Sequence, residues 1–389
     1  MSKPTMTPEL LQIRDAITAL TDQFDDAYWM KLDGEHRFPE EFRVAMAKAG
    51  WLGIMMPPEF GGAGMGITEA AYMMQLVANS GGALAACSCI HVNIFGPNSI
   101  VKHGTSEQKG RILPPLIRGD DLVAFGITEP DAGLDTTHLT TRAVRRGDGY
   151  VINGQKVWTT TAQRANKILL LVRTTPFEQC ARPTDGITLF YTDLDRKHIE
   201  VREIEKMGRG AVDSNSIFIS DLPVPERDRI GKEGEGFRII LDSLNPERIL
   251  GAAEAIGIGR RALAKATAYA KERVVFGRPI GQNQAIQHPL AESWSELEAA
   301  NLMAFHAAEL YDSGQPCGAE ANAAKYLAAD AAFLACDRAV RTHGGFGYAR
   351  EYHVERYFRE SMIPRIAPVS RELVLSHIAE RVLGLPKSY

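Results

Sequence analysis

GYVINGQKVWTT, Gly149 to Thr160, decides the reading of this chain, because apolar and polar residues alternate here while the flanking sequence mostly repeats every three or four residues. A period of two belongs to strands and one of 3.6 to helices. Asn153-Gly154, between the two alternating runs, reads as the type I′ turn of a hairpin. Further strands are expected at Ile168 to Arg173, Gly186 to Asp193, Ile199 to Ile204 and Ser216 to Leu222.

Outward from this β segment the helical period takes over on both sides. Pro8 to about Gly119 carries it with turn signals at Pro57 to Gly66 and His103 to Gly110. After the glycine-rich stretch Ile230 to Phe237 it returns, and Asn245-Pro246 reads as the N-cap and first-turn pair of a long helix. Ile249, Ala252, Ile256, Gly259, Leu263, Ala266 and Ala270 form a stripe of mostly small residues on that helix, suited to close packing in a bundle. Arg273 to Gly281 breaks the pattern, and two more long helices are expected at Gln284 to Asp312 and Ala319 to His343. The expected fold is α+β: an N-terminal all-α domain over 1–121, a middle β-barrel or sandwich domain over 122–231, and a C-terminal four-helix bundle over 232–389.

With 389 residues and 45% hydrophobic content, the chain can bury substantial cores. A formal charge of −4 supplies no electrostatic reason to expect nucleic acid or an anionic membrane surface. Five unevenly spaced cysteines without a C-x-x-C indicate neither a disulfide frame nor zinc, and no metal site is expected. No run is read as long and apolar enough to cross a bilayer, and the first twenty residues, with Glu9 and Asp15, resemble neither a signal nor a transit peptide. A cytoplasmic location is expected. P-loop and G-x-S-x-G strings are absent, and Gly257-Ile-Gly259-Arg-Arg-Ala262 lies inside a helical pattern with no strand before it.

Four strings in order carry a resemblance: ITEPDAGLDTT (Ile127 to Thr137), GQKVWTTTA (Gly154 to Ala162), ERVVFGRPIGQNQAI (Glu272 to Ile286) and THGGFGY (Thr342 to Tyr348). Together they resemble the acyl-CoA dehydrogenase family over practically the whole chain. The resemblance implies FAD between the β domain and the C-terminal bundle, a homotetramer in which a neighbouring subunit closes the site, an acyl-CoA substrate, and an electron-transfer flavoprotein as electron acceptor. It assigns the flavin ring to Ile127, Thr128 and Gly133, with Trp158 against the isoalloxazine and Thr160 near N5. The plainer alternatives are a strand-ending turn for the loop and a core tryptophan for Trp158. Arg273 and Gln284 are assigned to the pyrophosphate of the FAD held mainly by the other subunit, Arg273 being the better phosphate ligand because its guanidinium is planar and always charged. Arg341, Gly344 and Gly345 complete the cofactor set, although a glycine pair there also suits a plain helix cap. Departures are Arg341 where many relatives carry Gln, Leu134 where Ser is common, and Val275 in place of a polar residue.

α,β-Dehydrogenation needs a carboxylate to take the α-proton while the β-hydride passes to flavin N5. The commonest family position for that base, in a Y-E-G-T string, matches Ala367-Pro368-Val369-Ser370 here, which has no acid. The isovaleryl and long-chain types instead place the Glu before an Arg, which matches Glu247-Arg248. Glu247 is therefore the expected base, with Glu254 and Glu372 behind it and Arg248 orienting the thioester. A first-turn position would lower the Glu247 pKa through the helix dipole, and burial would raise it. Pro368 has no N–H to polarise the thioester carbonyl, which leaves the Val369 amide; Leu134 and Val369 complete the substrate set. Ser88 to Ser99 is expected along the acyl pocket, with His91, Asn93 and Phe95 shaping it. The alternatives are a family member with altered chemistry, such as a desulfinase-like lyase, or an inactive flavoprotein acting as a binding partner; a dioxygen-using oxidase stands behind both.

Overall fold

A computed structural model describes residues 6–388. Seven helices come first: α1 Pro8–Thr21, α2 Asp26–Glu35, α3 Glu40–Lys48, α4 Ile67–Ala78, α5 Ala83–Phe95, α6 Asn98–His103 and α7 Ser106–Arg118. Their ends follow local chemistry. Thr105 caps α7 while Gln108 reaches back to the Thr105 N–H, and Gly119 stops the helix in the left-handed region at φ 75°. The segment Ala83–His103 is long and apolar enough to span a bilayer, with mean hydropathy 1.3, contrary to the expectation of no such run. It is split at Gly96-Pro97 and 78% buried in the protein, so its apolarity is that of a core helix.

Strands β1 Val123–Gly126, β2 Arg142–Arg146, β3 Gly149–Thr160, β4 Lys167–Arg173, β5 Ile187–Asp193, β6 Ile199–Glu203, β7 Ser214–Pro225 and β8 Arg229–Ile230 form one eight-stranded sheet. Its order is β6-β7-β3-β2-β4-β5-β8, with β1 parallel to β4. Every expected strand is present, but the expected turn is not. Asn153-Gly154 lies inside β3, and the β2–β3 hairpin turns instead at Gly147-Asp148, with Gly147 at φ 57°. Gly154 sits at a register shift against β7, and a Cβ there would fall 2.6 Å from Thr141 Cα. The glycine is needed for close approach at a bulge, a demand that looks the same in sequence as a turn.

The C-terminal helices are α8 Gly236–Glu272, α9 Gln284–Asp312, α10 Gly318–His343, α11 Val354–Ser361, α12 Ile363–Ile366 and α13 Arg371–Arg381, and a short ribbon of β9 Val274–Val275 and β10 Arg278–Pro279 follows α8. The small-residue stripe brings α8 against α9 and α10: a Cβ on Gly259 would lie 2.7 Å from Leu297 and 3.1 Å from Ala332 Cα. α8 also begins ten residues earlier than Asn245-Pro246 implies, with Glu235 at the N-cap. Pro246 sits inside it and cannot donate to the Asp242 carbonyl one turn back; Asn98 Nδ2 donates to that carbonyl instead, at 3.0 Å. A long-range bond to α6 thus replaces the missing helical one, which removes the reason for the helix to start there.

Candidate active site

The two β-domain strings are joined by a buried ion pair. Lys156 on β3 is fully buried and its Nζ lies 2.8 Å from Glu129 Oε1 in the 127–133 loop. Glu129 also accepts from Thr140 N at 2.6 Å, Thr140 Oγ1 at 2.8 Å and Thr141 N at 2.9 Å, while Lys156 donates to the Ile127 carbonyl at 3.0 Å. Burial opposes the Glu129 charge, but Lys156 and these donors outweigh it and hold the carboxyl down at about 2. Burial pulls the Lys156 ammonium down to about 8 against the same attraction. A further bond, Val157 N to Thr128 O at 2.9 Å, fastens the loop to β3.

Next to that anchor β3 shifts register between Lys156 and Thr159, and Trp158 adopts φ 59° with Thr161 at 60°. Left-handed backbone at a bulky residue costs energy and persists only where its surroundings impose it. The result is that the Trp158 side of the strand faces outward. Trp158 is 58% exposed, so it is not the core tryptophan of the plainer reading. Thr160 is half-buried beside it, and among the described residues the N–H groups of Gly133 and Leu134 have no protein partner. Gly133 has open space before it and Leu134 is 53% exposed. An exposed indole, unpaired amides and an open loop fit a planar, hydrogen-bonding ring, as expected for the flavin.

Glu247 stands on α8 at the end of another connected set. Its residue is 9% exposed, and among the described residues its carboxylate has no hydrogen bond or ion pair. Burial pushes its pKa up to about 7, with His91 and Arg248 opposing and Glu254 assisting the rise. Because α8 starts at Gly236, Glu247 lies three turns from the helix N-terminus, and the expected dipole effect on a first-turn acid is absent. Glu254, two turns on, is engaged instead: its Oε1 lies 2.5 Å from His91 Nδ1 on α5. Glu372 is exposed on α13. Arg248 is held near Asn245 Oδ1 at 3.3 Å, with its Nε buried and unpaired.

Arg209 bridges the β-domain group and this one. Its Nη1 donates to Ser88 on α5 at 2.9 Å and its Nη2 reaches Ser214 Oγ at 3.5 Å, Ser214 being the cross-strand partner of Thr160. Of the three residues expected to shape a pocket, His91 pairs with Glu254 and keeps 18% of its side chain accessible. Asn93 is buried, bonded to Asp121 O and Val123 N, and Phe95 packs edge-on against Phe125. Pro368 and Val369 lie between α12 and α13; the Val369 carbonyl accepts from buried Lys325, and its N–H has no partner among the described residues.

The remaining cofactor candidates form a third, outward-facing group. Arg273 ends α8 with its guanidinium 5.8 Å from the Phe346 ring, bringing the ERVVFG and THGGFG strings together. Gly344 is the C-cap of α10 at φ 61°, as the plainer reading had it, and both Gly344 and Gly345 have open space before them. Gln284 is exposed, and Arg341 is paired with Asp337 at 2.8 Å. Val275 is half-buried in the ribbon, and Phe276 beside it is 99% exposed.

Three family models match in tandem: acyl-CoA dehydrogenase N-terminal domain over residues 7–120, middle domain over 124–222 and C-terminal domain over 234–383. The chain belongs to the acyl-CoA dehydrogenase family. Among its relatives, the acyl-CoA dehydrogenase FadE12 of Mycobacterium tuberculosis is 37% identical, over 97% of this chain and 96% of the relative. A subunit of the caffeyl-CoA reductase–Etf complex of Acetobacterium woodii is 34% identical over 84% and 85%. The solved glutaryl-coenzyme A dehydrogenase in complex with glutaryl-CoA superposes with a TM-score of 0.94 at 30% identity, covering 99% of this chain and 98% of that one.

Motif reading missed the Glu129–Lys156 pair, and it named His91 and Glu254 separately without their pairing. Glu129 and Lys156 sit inside the quoted strings, 27 residues apart, and an acid and a lysine in two strand-flanking motifs were the available signal. His91 and Glu254 are 163 residues apart and offer no local signal.

Proposed function

We propose that this chain catalyses the FAD-dependent α,β-dehydrogenation of an acyl-CoA thioester to the trans-2-enoyl-CoA, with Glu247 as the base. The observation that carries this reading is the Glu247 carboxylate: buried, unpaired, and with a pKa of about 7. A carboxylate of that pKa is ionised enough at neutral pH to accept a proton and basic enough to hold it. FAD, when bound, supplies the acceptor for the β-hydrogen and its electron pair. Trp158, Thr160 and the free amides near Gly133 would hold its ring, and Glu247 takes the α-proton as the double bond forms. The Val369 N–H, in a segment held by Lys325, would donate to the thioester carbonyl in place of the proline, and Arg248 would lie at the thioester end.

Homotetramer assembly belongs to the same reading, because Arg273, Gln284 and Gly345 are exposed on this chain and suit the pyrophosphate of a neighbour's FAD. So do an electron-transfer flavoprotein as acceptor, supported by the Etf-complex relative, and a cytoplasmic location. The test is anaerobic mixing of the FAD-loaded protein with a panel of acyl-CoAs, followed by flavin bleaching and enoyl-CoA analysis. Bleaching that disappears in Glu247→Gln with FAD retained is expected. Release of a leaving group without bleaching would select the lyase reading, and neither product nor bleaching with any thioester would select the inactive binding partner.

A further inference from the structure

The face of α8 that carries Glu247 continues into a void and ends on charge. Glu247, Gly251 and Glu254 lie within about 60° of one another around the helix at 100° per residue, so they share one face. A Cβ built on Gly251 meets nothing within 4 Å, so there is open space between the two acids. At the far end of that space Glu254 Oε1 is paired with His91 Nδ1 at 2.5 Å. The two side chains, one on α8 and one on α5, keep 13% and 18% of their surface accessible, so both are within reach of a ligand in that space. One turn back on α5, Ser88 holds Arg209, whose Nε is buried without a partner. His91 Nε2 and Glu254 Oε2 likewise have no protein partner among the described residues.

An unbranched alkyl tail is a poor match for such a floor. It would strip water from an ion pair and from unpaired donors while offering no hydrogen bond in return, a cost that polar sites impose on analogues lacking the bonding group. We propose that the acyl group taken by this site carries an oxygen at its distal end, a hydroxyl or a carboxylate, received by His91 with Glu254 and by Arg209. Seven residues of helix at 1.5 Å each set roughly 10 Å between Glu247 and Glu254, the reach of an acyl chain of about six carbons with one terminal oxygen group. The inference rests on acyl thioester oxidation at Glu247 and names the class of acyl group.

The experiment compares three thioesters of nearly equal length: heptanoyl-CoA, 6-hydroxyhexanoyl-CoA and adipoyl-CoA, which end in a methyl, a hydroxyl and a carboxylate. Second-order rates of flavin bleaching are measured for the FAD-loaded wild type and for His91→Phe and His91→Gln. At least one oxygen-bearing thioester is expected to react about tenfold or more faster than heptanoyl-CoA, and the advantage is expected to collapse in His91→Phe and to survive partly in His91→Gln. Whichever of the two oxygen-bearing thioesters leads identifies the terminal group as neutral or anionic. Equal or faster bleaching by heptanoyl-CoA in the wild type overturns the inference and leaves the dehydrogenase reading standing, as does an advantage that both variants keep. Failure of all three, and of every other acyl-CoA, to bleach the flavin overturns the dehydrogenase reading itself. If His91→Phe does not load FAD, the wild-type comparison and His91→Gln still decide the matter.

Discussion

Replacing Glu247 with Gln should trade activity for stability, and both halves follow from the same burial. The carboxyl is raised from 4.5 to about 7, mainly because the folded protein strips it of water. A folded-state pKa above the unfolded value means that the folded chain holds the proton longer, so the stability associated with it is fully present below pH 4.5 and lost as pH rises through 7. At roughly 1.4 kcal/mol for each pH unit, ionised Glu247 costs the fold roughly 3 kcal/mol by pH 8. Gln carries no such charge. Glu247→Gln should therefore melt above the wild type at pH 8.5 and alongside it at pH 4, by differential scanning calorimetry with FAD in excess. The rate half of the prediction concerns the same ionisation. A base of pKa about 7 is about one-eleventh ionised at pH 6 and ten-elevenths at pH 8, so the second-order rate of flavin bleaching should rise roughly tenfold between them. Removing the base should cost roughly 10²–10⁴ in that rate. A bleaching rate that stays flat from pH 6 to 8, or a Gln variant that bleaches normally, refutes the assignment; equal melting at both pH values refutes the burial argument.

Other substitutions test the supports of the site. Lys156→Met should destabilise the fold by roughly 3–5 kcal/mol, because it leaves the Glu129 charge buried and unpaired, and adding Glu129→Gln should recover much of that loss in urea unfolding. Trp158→Ala should weaken FAD binding in an equilibrium titration while moving the melting point of the FAD-free protein little, since an indole 58% exposed adds little to the core. Asn98→Ala should cost roughly 1–3 kcal/mol by leaving the Asp242 carbonyl without a donor, and pairing it with Pro246→Ala should restore most of it in the same unfolding assay.

How much of this was legible depended on whether the signal was local. The switch from a period of 3.6 to 2 and back is set residue by residue, and the three-part architecture follows from it. Turn and cap signals misled at two places. Asn153-Gly154 has the chemistry of a hairpin turn, but its pairing with β7 and the closeness of Thr141 keep it in a strand. Asn245-Pro246 has the chemistry of a helix start, but Asn98 satisfies the one carbonyl that the proline cannot, and the helix runs through. In both cases a partner distant in sequence overrode a local preference. The outward turn of Trp158 and the two ion pairs of the site depend on similarly distant contacts, and only the acyl-CoA dehydrogenase resemblance pointed to Trp158 beforehand.

One feature of the base bears on the direction of the reaction. The chain resembles both an acyl-CoA dehydrogenase and a subunit named for a caffeyl-CoA reductase complex, and a single site geometry can serve both. By microscopic reversibility, the group that takes the α-proton on oxidation returns it on reduction. A strongly acidic carboxyl would seldom hold at neutral pH the proton that reduction needs, whereas one with a pKa of about 7 is divided between the two forms. As the proposed base, Glu247 would therefore serve either direction. The choice then rests with the electron donor or acceptor, and the His91–Glu254 end of the cleft bears on which acyl group is committed, not on which way it reacts.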